Sequence, residues 1–76
     1  MKNYTLQNCE TNSQVTISDI APEWEGRLRF MEIGGIQGTP VTIHNRIGKT
    51  GSIIVSFRDT KFAIRYQDAE YIRVNH

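Results

Sequence analysis

The residues able to do chemistry in this chain of 76 amino acids are few and badly spaced. Cys9, His44 and His76 are its one cysteine and two histidines. A structural zinc site takes about four nitrogen or sulfur ligands at short, regular spacing. These three run from one end of the chain to the other, and adding Glu10 or Glu70 does not make a ligand set. Gly48-Lys49-Thr50 looks like the end of a phosphate-binding loop. The full motif needs a glycine five positions earlier, where Ile43 stands, and a helix leading out of the loop. The pattern around it reads as strands, so the segment is a hairpin loop. No Ser-His-Asp or Cys-His arrangement is credible with two histidines placed this way. The carboxylates are scattered, and none sits in an apolar run that would raise its pKa. The expectation is no catalysis, no cofactor and no metal site.

That leaves binding. Nine basic and eight acidic side chains give a net charge of +1. Nucleic-acid binding usually leaves a clear basic excess, and none is present. The basic residues from Arg27 to Arg73, with Phe57, Tyr66 and Tyr71 as stacking aromatics, are the material for a small RNA-binding barrel. The plainer reading is a solvated charged face with Phe57 in the core. No apolar run approaches the roughly 18 residues of a membrane span. Met1-Lys2-Asn3-Tyr4 lacks the apolar stretch of a secretion signal, and the single cysteine excludes an internal disulfide. A reduced, cytoplasmic setting is expected.

The elements that must position a binding surface are short. Leu6 and Cys9 read as core anchors. Asn12-Ser13 reads as a turn, since asparagine tolerates positive φ. Val15 to Ser18 alternates apolar and polar, as do Val41 to His44, Ser52 to Phe57 and Lys61 to Arg65, and Ile72 and Val74 close the chain. Asn45 to Gly51 and Arg58-Asp59-Thr60 are the links between strands. Trp24 to Ile33 is the convincing helix, opened by Pro22 and stopped by Gly34-Gly35. At 100° per residue, Trp24, Leu28 and Met31 share one face, while Phe30 and Ile33 point the other way. One face packs on the sheet. The other needs a cover, either the N-terminal segment through Leu6 or a partner. One helix with short strands and short links makes a small, mostly antiparallel barrel.

Three blocks of residues resemble a known family. Arg29-Phe30-Met31-Glu32-Ile33-Gly34, then Gly38 and Val41, is similar to the R-L-x-x-L-G-x-x-x-G-x-x-V signature of FeoA proteins. Phe62-Ala63-Ile64-Arg65, Asp68-Ala69-Glu70 and Ile72-Arg73-Val74 resemble that family's closing pattern. Leu6, Cys9, Asn12 and Val15 stand where the family opens. The chain departs from the pattern at Asn12, where glycine is usual, and at Gly35, where an apolar residue is common and Ile36 is expected to take its contact. Gln37 replaces a frequent proline, and Lys49-Thr50-Gly51 stands at a G-G-P turn.

The resemblance implies a mainly β fold over residues 1–76 as a single FeoA-like domain. It would be a small SH3-like antiparallel barrel with one amphipathic helix and a short helical turn near the C-terminus. It implies a small accessory protein of bacterial ferrous iron uptake that acts with FeoB, a membrane transporter carrying a cytoplasmic GTP-hydrolysing domain. Trp24, Leu28 and Met31, with Ile36 and Gln37 beside them, are then the expected partner contact. The other readings are a nucleic-acid-binding barrel and a self-associating module that forms a homodimer through the same patch.

Overall fold

The computed structural model describes residues 4–48 and 51–75. Lys49 and Thr50, on which the phosphate-loop reading turned, and His76 lie outside the described residues. Among the described residues, five strands form one antiparallel sheet: β1 (Gln14–Ile20), β2 (Pro40–Arg46), β3 (Ile53–Phe57), β4 (Thr60–Ile64) and β5 (Ile72–Asn75). Their order across the sheet is β4-β3-β2-β1-β5. Two short helices interrupt them, α1 (Arg27–Glu32) and α2 (Tyr66–Ala69), and a 3-10 turn at Leu6–Asn8 precedes β1.

Two bulges curl the sheet around its core. The register slips between Ile17 and Asp19 in β1 and between Ile43 and Asn45 in β2. Each bulge bends its strand, so one half of β1 pairs with β2 and the other half with β5. The inward residues are the apolar ones of each alternating run. Val15, Ile17, Val41, Ile43, Ile53, Val55, Phe57, Ile72 and Val74 are all buried. The two-residue link Arg58-Asp59 joins β3 to β4 with φ of 51° and 62°, the mirror-image turn that suits a tight hairpin. Thr60 belongs to β4 rather than to the link.

The N-terminal segment closes the barrel's β5 side. The Tyr4 carbonyl accepts from the Val74 N–H at 2.8 Å, and Gln7 Nε2 donates to the Tyr66 carbonyl at 3.0 Å. Arg46 Nη2 donates to the Gln7 carbonyl at 2.7 Å and also to the Cys9 carbonyl. Leu6 and Cys9 are thereby held in the core. Asn12 has φ 65°, the left-handed conformation expected of a residue standing in for glycine.

The helix is shorter than its sequence pattern. Pro22-Glu23 and Glu25-Gly26 form turns, and α1 begins at Arg27 rather than at Trp24. The cause is the Trp24 side chain. Its indole folds beneath Gly26, where a Cβ would lie 2.7 Å from the ring. Trp24 then packs edge-on against Phe30 at 5.6 Å and stacks on Tyr71 at 6.5 Å. Phe30 is fully buried, with its ring edge-on to Phe57 and Phe62 at 5.2 and 5.5 Å. One aromatic plug thus fastens a six-residue helix that could not persist alone. Gly34, at φ 110°, ends it.

Candidate protein-docking site

The expected patch of Trp24, Leu28 and Met31 is split by the fold. Trp24 is only 8% exposed and belongs to the core, because it lies before the helix and does not follow the helical angle. Leu28 remains 64% exposed and Met31 37% exposed. They stand three residues apart on α1 and so neighbour one another on its surface. The N-terminal segment does not reach over them as one face: Leu6 goes into the core instead.

The turn after α1 adds the second half of the surface. Residues 34–39 are stitched to the body by backbone bonds. Gly38 N–H donates to the Ile17 carbonyl at 2.7 Å, and Ile17 N–H to the Thr39 carbonyl at 3.0 Å. The buried Thr39 hydroxyl donates to the Gly34 carbonyl at 3.0 Å. This bracing turns Ile36 and Gln37 outward, both exposed. The suggestion that Ile36 fills the core contact of Gly35 is therefore corrected. Gly35 is buried hard against the Phe30 ring, which takes that space, and Ile36 is 40% exposed.

Met31, Ile36 and Gln37 line one shallow groove of about 150 Å³ with Asp19, Ile20 and Arg27. Arg27 Nη1 lies 3.6 Å from Met31 Sδ, so its guanidinium edges the groove. On the neighbouring strands, Arg73 Nη1 donates to Asp19 Oδ2 at 2.6 Å. The result is an apolar strip from Leu28 to Ile36 with charge at its rim. That is the composition of a protein contact, whose centre is apolar and whose edge is polar. Four of the residues expected from the sequence, Leu28, Met31, Ile36 and Gln37, are exposed on this side of the molecule. The sequence pattern missed the share of Asp19 and Ile20, which only the curl of β1 brings alongside, and of Arg27, which stands four residues before Met31 on α1 itself.

A larger depression of about 560 Å³ lies between the segment Glu23–Arg29 and the end of β4. Trp24, Phe62 and Tyr71 form its apolar lining, and Glu25, Arg29 and Arg65 carry charge along it. Its lining holds no histidine, cysteine, serine or threonine. Among the described residues, no three histidine, cysteine or acidic side chains converge to hold a metal ion. Among the same residues, no helix is long and apolar enough to cross a membrane.

The two soft ligands described have structural partners. His44 Nε2 lies 2.7 Å from Ser56 Oγ across the β2–β3 pair, so this histidine is tied to the sheet rather than freely solvated. Cys9 Sγ sits 3.5 Å from the Thr5 carbonyl. Burial pushes the Cys9 thiol pKa up, with nearby Arg46 pulling the other way. A thiol held neutral is a poor nucleophile and a poor ligand.

Comparison with known proteins agrees with this architecture. The FeoA domain pattern matches residues 4–76. An FeoA-like protein from Clostridium acetobutylicum superposes with a TM-score of 0.84 at 27% identity, covering 99% of this chain and 87% of that one. The FeoA of Stenotrophomonas maltophilia, solved with zinc, is described as a prokaryotic SH3 domain protein and a possible bacterial ferrous iron transport activating factor. It superposes with a TM-score of 0.81 at 19% identity, covering 93% of this chain and 88% of that one. A manganese-dependent transcriptional repressor carries the same fold over 41% of its length, with a TM-score of 0.82 at 22% identity and 96% of this chain covered. No curated protein matches significantly. Five antiparallel strands curled as an SH3-like barrel, one helix plugged by Phe30, and a match across nearly all residues place this chain in the FeoA family.

Proposed function

We propose that this chain is a non-enzymatic accessory protein of bacterial ferrous iron uptake, a single domain over residues 1–76 working in the cytoplasm. It docks on the cytoplasmic part of a FeoB-type transporter and shifts its activity. The observation that carries this reading is the exposed apolar strip of Leu28, Met31 and Ile36 with Gln37 beside it. Family membership supplies the iron-transport context. Full burial of an aliphatic side chain contributes about 1.5–3 kcal/mol, and these three are already partly covered. The strip therefore offers a few kcal/mol before the costs of association, which suits reversible docking. Docking alters transport only if one transporter state is bound more tightly than another, since equal affinity shifts no equilibrium.

The nucleic-acid reading has less support. Phe57 is 3% exposed, and Tyr66 and Tyr71 are partly buried against the core, which leaves the aromatics proposed for stacking little free ring face.

The test is a pull-down with the transporter's cytoplasmic region, comparing native protein with Leu28→Glu and Met31→Glu. Both positions are exposed, so both variants fold, as circular dichroism will verify. Binding should drop in each. Undiminished capture by folded variants rejects α1 as the contact. Trp24→Ala is unsuitable, because it empties the core. Sedimentation at micromolar concentration distinguishes docking from a homodimer built on the same strip.

A further inference from the structure

The edge of β4 borders the large depression, which shares no lining residue with the α1 groove. β4 is the outermost strand on its side of the sheet. Its ladder to β3 runs without a bulge from Phe57–Thr60 to Ile53–Ile64. The two-residue turn makes Phe57–Thr60 a pair that exchanges hydrogen bonds, and such pairs alternate along an antiparallel ladder. Thr60, Phe62 and Ile64 therefore bond to β3. Lys61 and Ala63 direct their N–H and C=O groups away from it, and no backbone bond outside the strands engages them among the described residues.

The side chains beside this edge are sorted by face. Phe62 turns inward and is half-buried against Phe30. Lys61, Ala63 and Arg65 are exposed on the outer face. Arg65 is still extended, with φ −63° and ψ 147°, so it continues the strand direction. Its side chain is 71% exposed and keeps an ion pair to Asp68 at 3.2 Å. The outer face of the edge thus reads cation, alanine, cation. The inner face opens on the large depression, whose lining also includes Trp24, Glu23, Glu25 and Asp68.

We infer that the β4 edge accepts an extended segment of a partner protein as a sixth strand, one that alternates acidic and apolar residues. Backbone bonds to Lys61 and Ala63 supply the register. Acidic side chains lie opposite Lys61 and Arg65, and the intervening apolar ones enter the depression beside Phe62 and Trp24. Strand addition to an open edge gains affinity from the main chain and selectivity from alternate side chains. A second copy of this chain is the wrong occupant. In two-fold antiparallel pairing centred on Lys61, Phe62 or Ala63, Lys61 falls opposite or diagonal to Lys61 or Arg65 of the other copy. Lysine on an edge strand is a common guard against such pairing, and like charges at those distances repel.

The probe is acetyl-Glu-Val-Glu-Val-Glu-amide, titrated into the full ¹⁵N-labelled chain. Binding should shift the Lys61 and Ala63 amide resonances and slow their hydrogen exchange. Lys61→Glu should weaken this peptide about five-fold and strengthen the Lys-Val-Lys-Val-Lys counterpart by a similar factor, as exchanging one attractive cross-strand charge pair for a repulsive one implies. Ala63→Pro removes one outward N–H, a change tolerated on an edge strand, and should abolish binding with the fold intact. If that variant fails to fold, the Lys61→Glu comparison decides alone. No perturbation at millimolar peptide, shifts centred on α1, or indifference to Lys61→Glu overturns the proposal. None of these outcomes bears on the transporter pull-down, so the two readings fail separately.

Discussion

Gly35→Ala probes the contact that fastens α1 to the barrel. A Cβ at Gly35 would lie 2.3, 2.5 and 2.7 Å from three carbons of the Phe30 ring. Real Cβ atoms do not approach that closely, so something must move. The ring has nowhere to go, because Trp24, Phe57 and Phe62 cage it at centroid distances of 5.2–5.6 Å. Gly35 is not among the positive-φ residues, so the cost is overpacking rather than backbone strain. Overpacking by one methyl in a tight core costs about 1–3 kcal/mol. In a domain of this size each kcal/mol lowers Tm by about 4–8 °C. The assay is urea unfolding of four proteins: native, Gly35→Ala, Phe30→Leu and the double variant. Phe30→Leu alone destabilises by opening a cavity. In the double variant the new methyl fills part of that cavity. The loss should then fall short of the sum of the singles by about 0.5–3 kcal/mol, at unchanged m-value. A neutral Gly35→Ala, or strict additivity, refutes the idea that this glycine exists to admit the ring. The same variant should also weaken transporter capture, since Ile36 and Gln37 follow Gly35 directly.

Other expectations follow from the same contacts. Arg46→Ala removes the donor shared by the Gln7 and Cys9 carbonyls, and should cost about 1.5–3 kcal/mol in denaturant titration, the range for charged hydrogen bonds. Cys9 makes stability depend on alkaline pH. Its thiol pKa is raised in the fold by burial, so the unfolded chain releases the proton first. The contribution is whole below the unfolded cysteine value of about 8.5 and is lost as pH rises through the folded one. Tm should therefore fall across that window, and Cys9→Ala should flatten the slope while lowering the plateau. Arg73→Ala breaks an ion pair whose side chains are 46% and 55% exposed, so its Tm should stay close to native. Asn12→Gly should match or exceed native stability, because φ 65° costs glycine nothing, whereas Asn12→Ala should lose about 1 kcal/mol.

Local chemistry alone determined most of the scaffold. Alternating apolar residues marked all but the edges of the strands, since a one-residue slip would expose an entire core face. Observed strands run one residue before and two residues past the pattern in β1 and β2, where hydrogen bonding continues beyond the apolar run. Gly34 as a helix stop, Asn12 as a left-handed turn, and Leu6 and Cys9 as core anchors were all legible, because each rests on an intrinsic preference of one residue.

What only the tertiary structure decided was which apolar residues face out. Helical spacing put Trp24 with Leu28 and Met31, but Trp24 lies before the helix and turns its indole under Gly26. Periodicity carries no information about where a helix begins when a bulky ring competes for the first turn. Gly35 and Ile36 exchanged expected roles for a similar reason: the Phe30 ring, fixed by three distant aromatics, occupies the space first. The Asp19 side of the α1 groove and the open edge of β4 are products of strand order and bulges. Those arise from contacts between residues far apart in the chain, which no local pattern encodes.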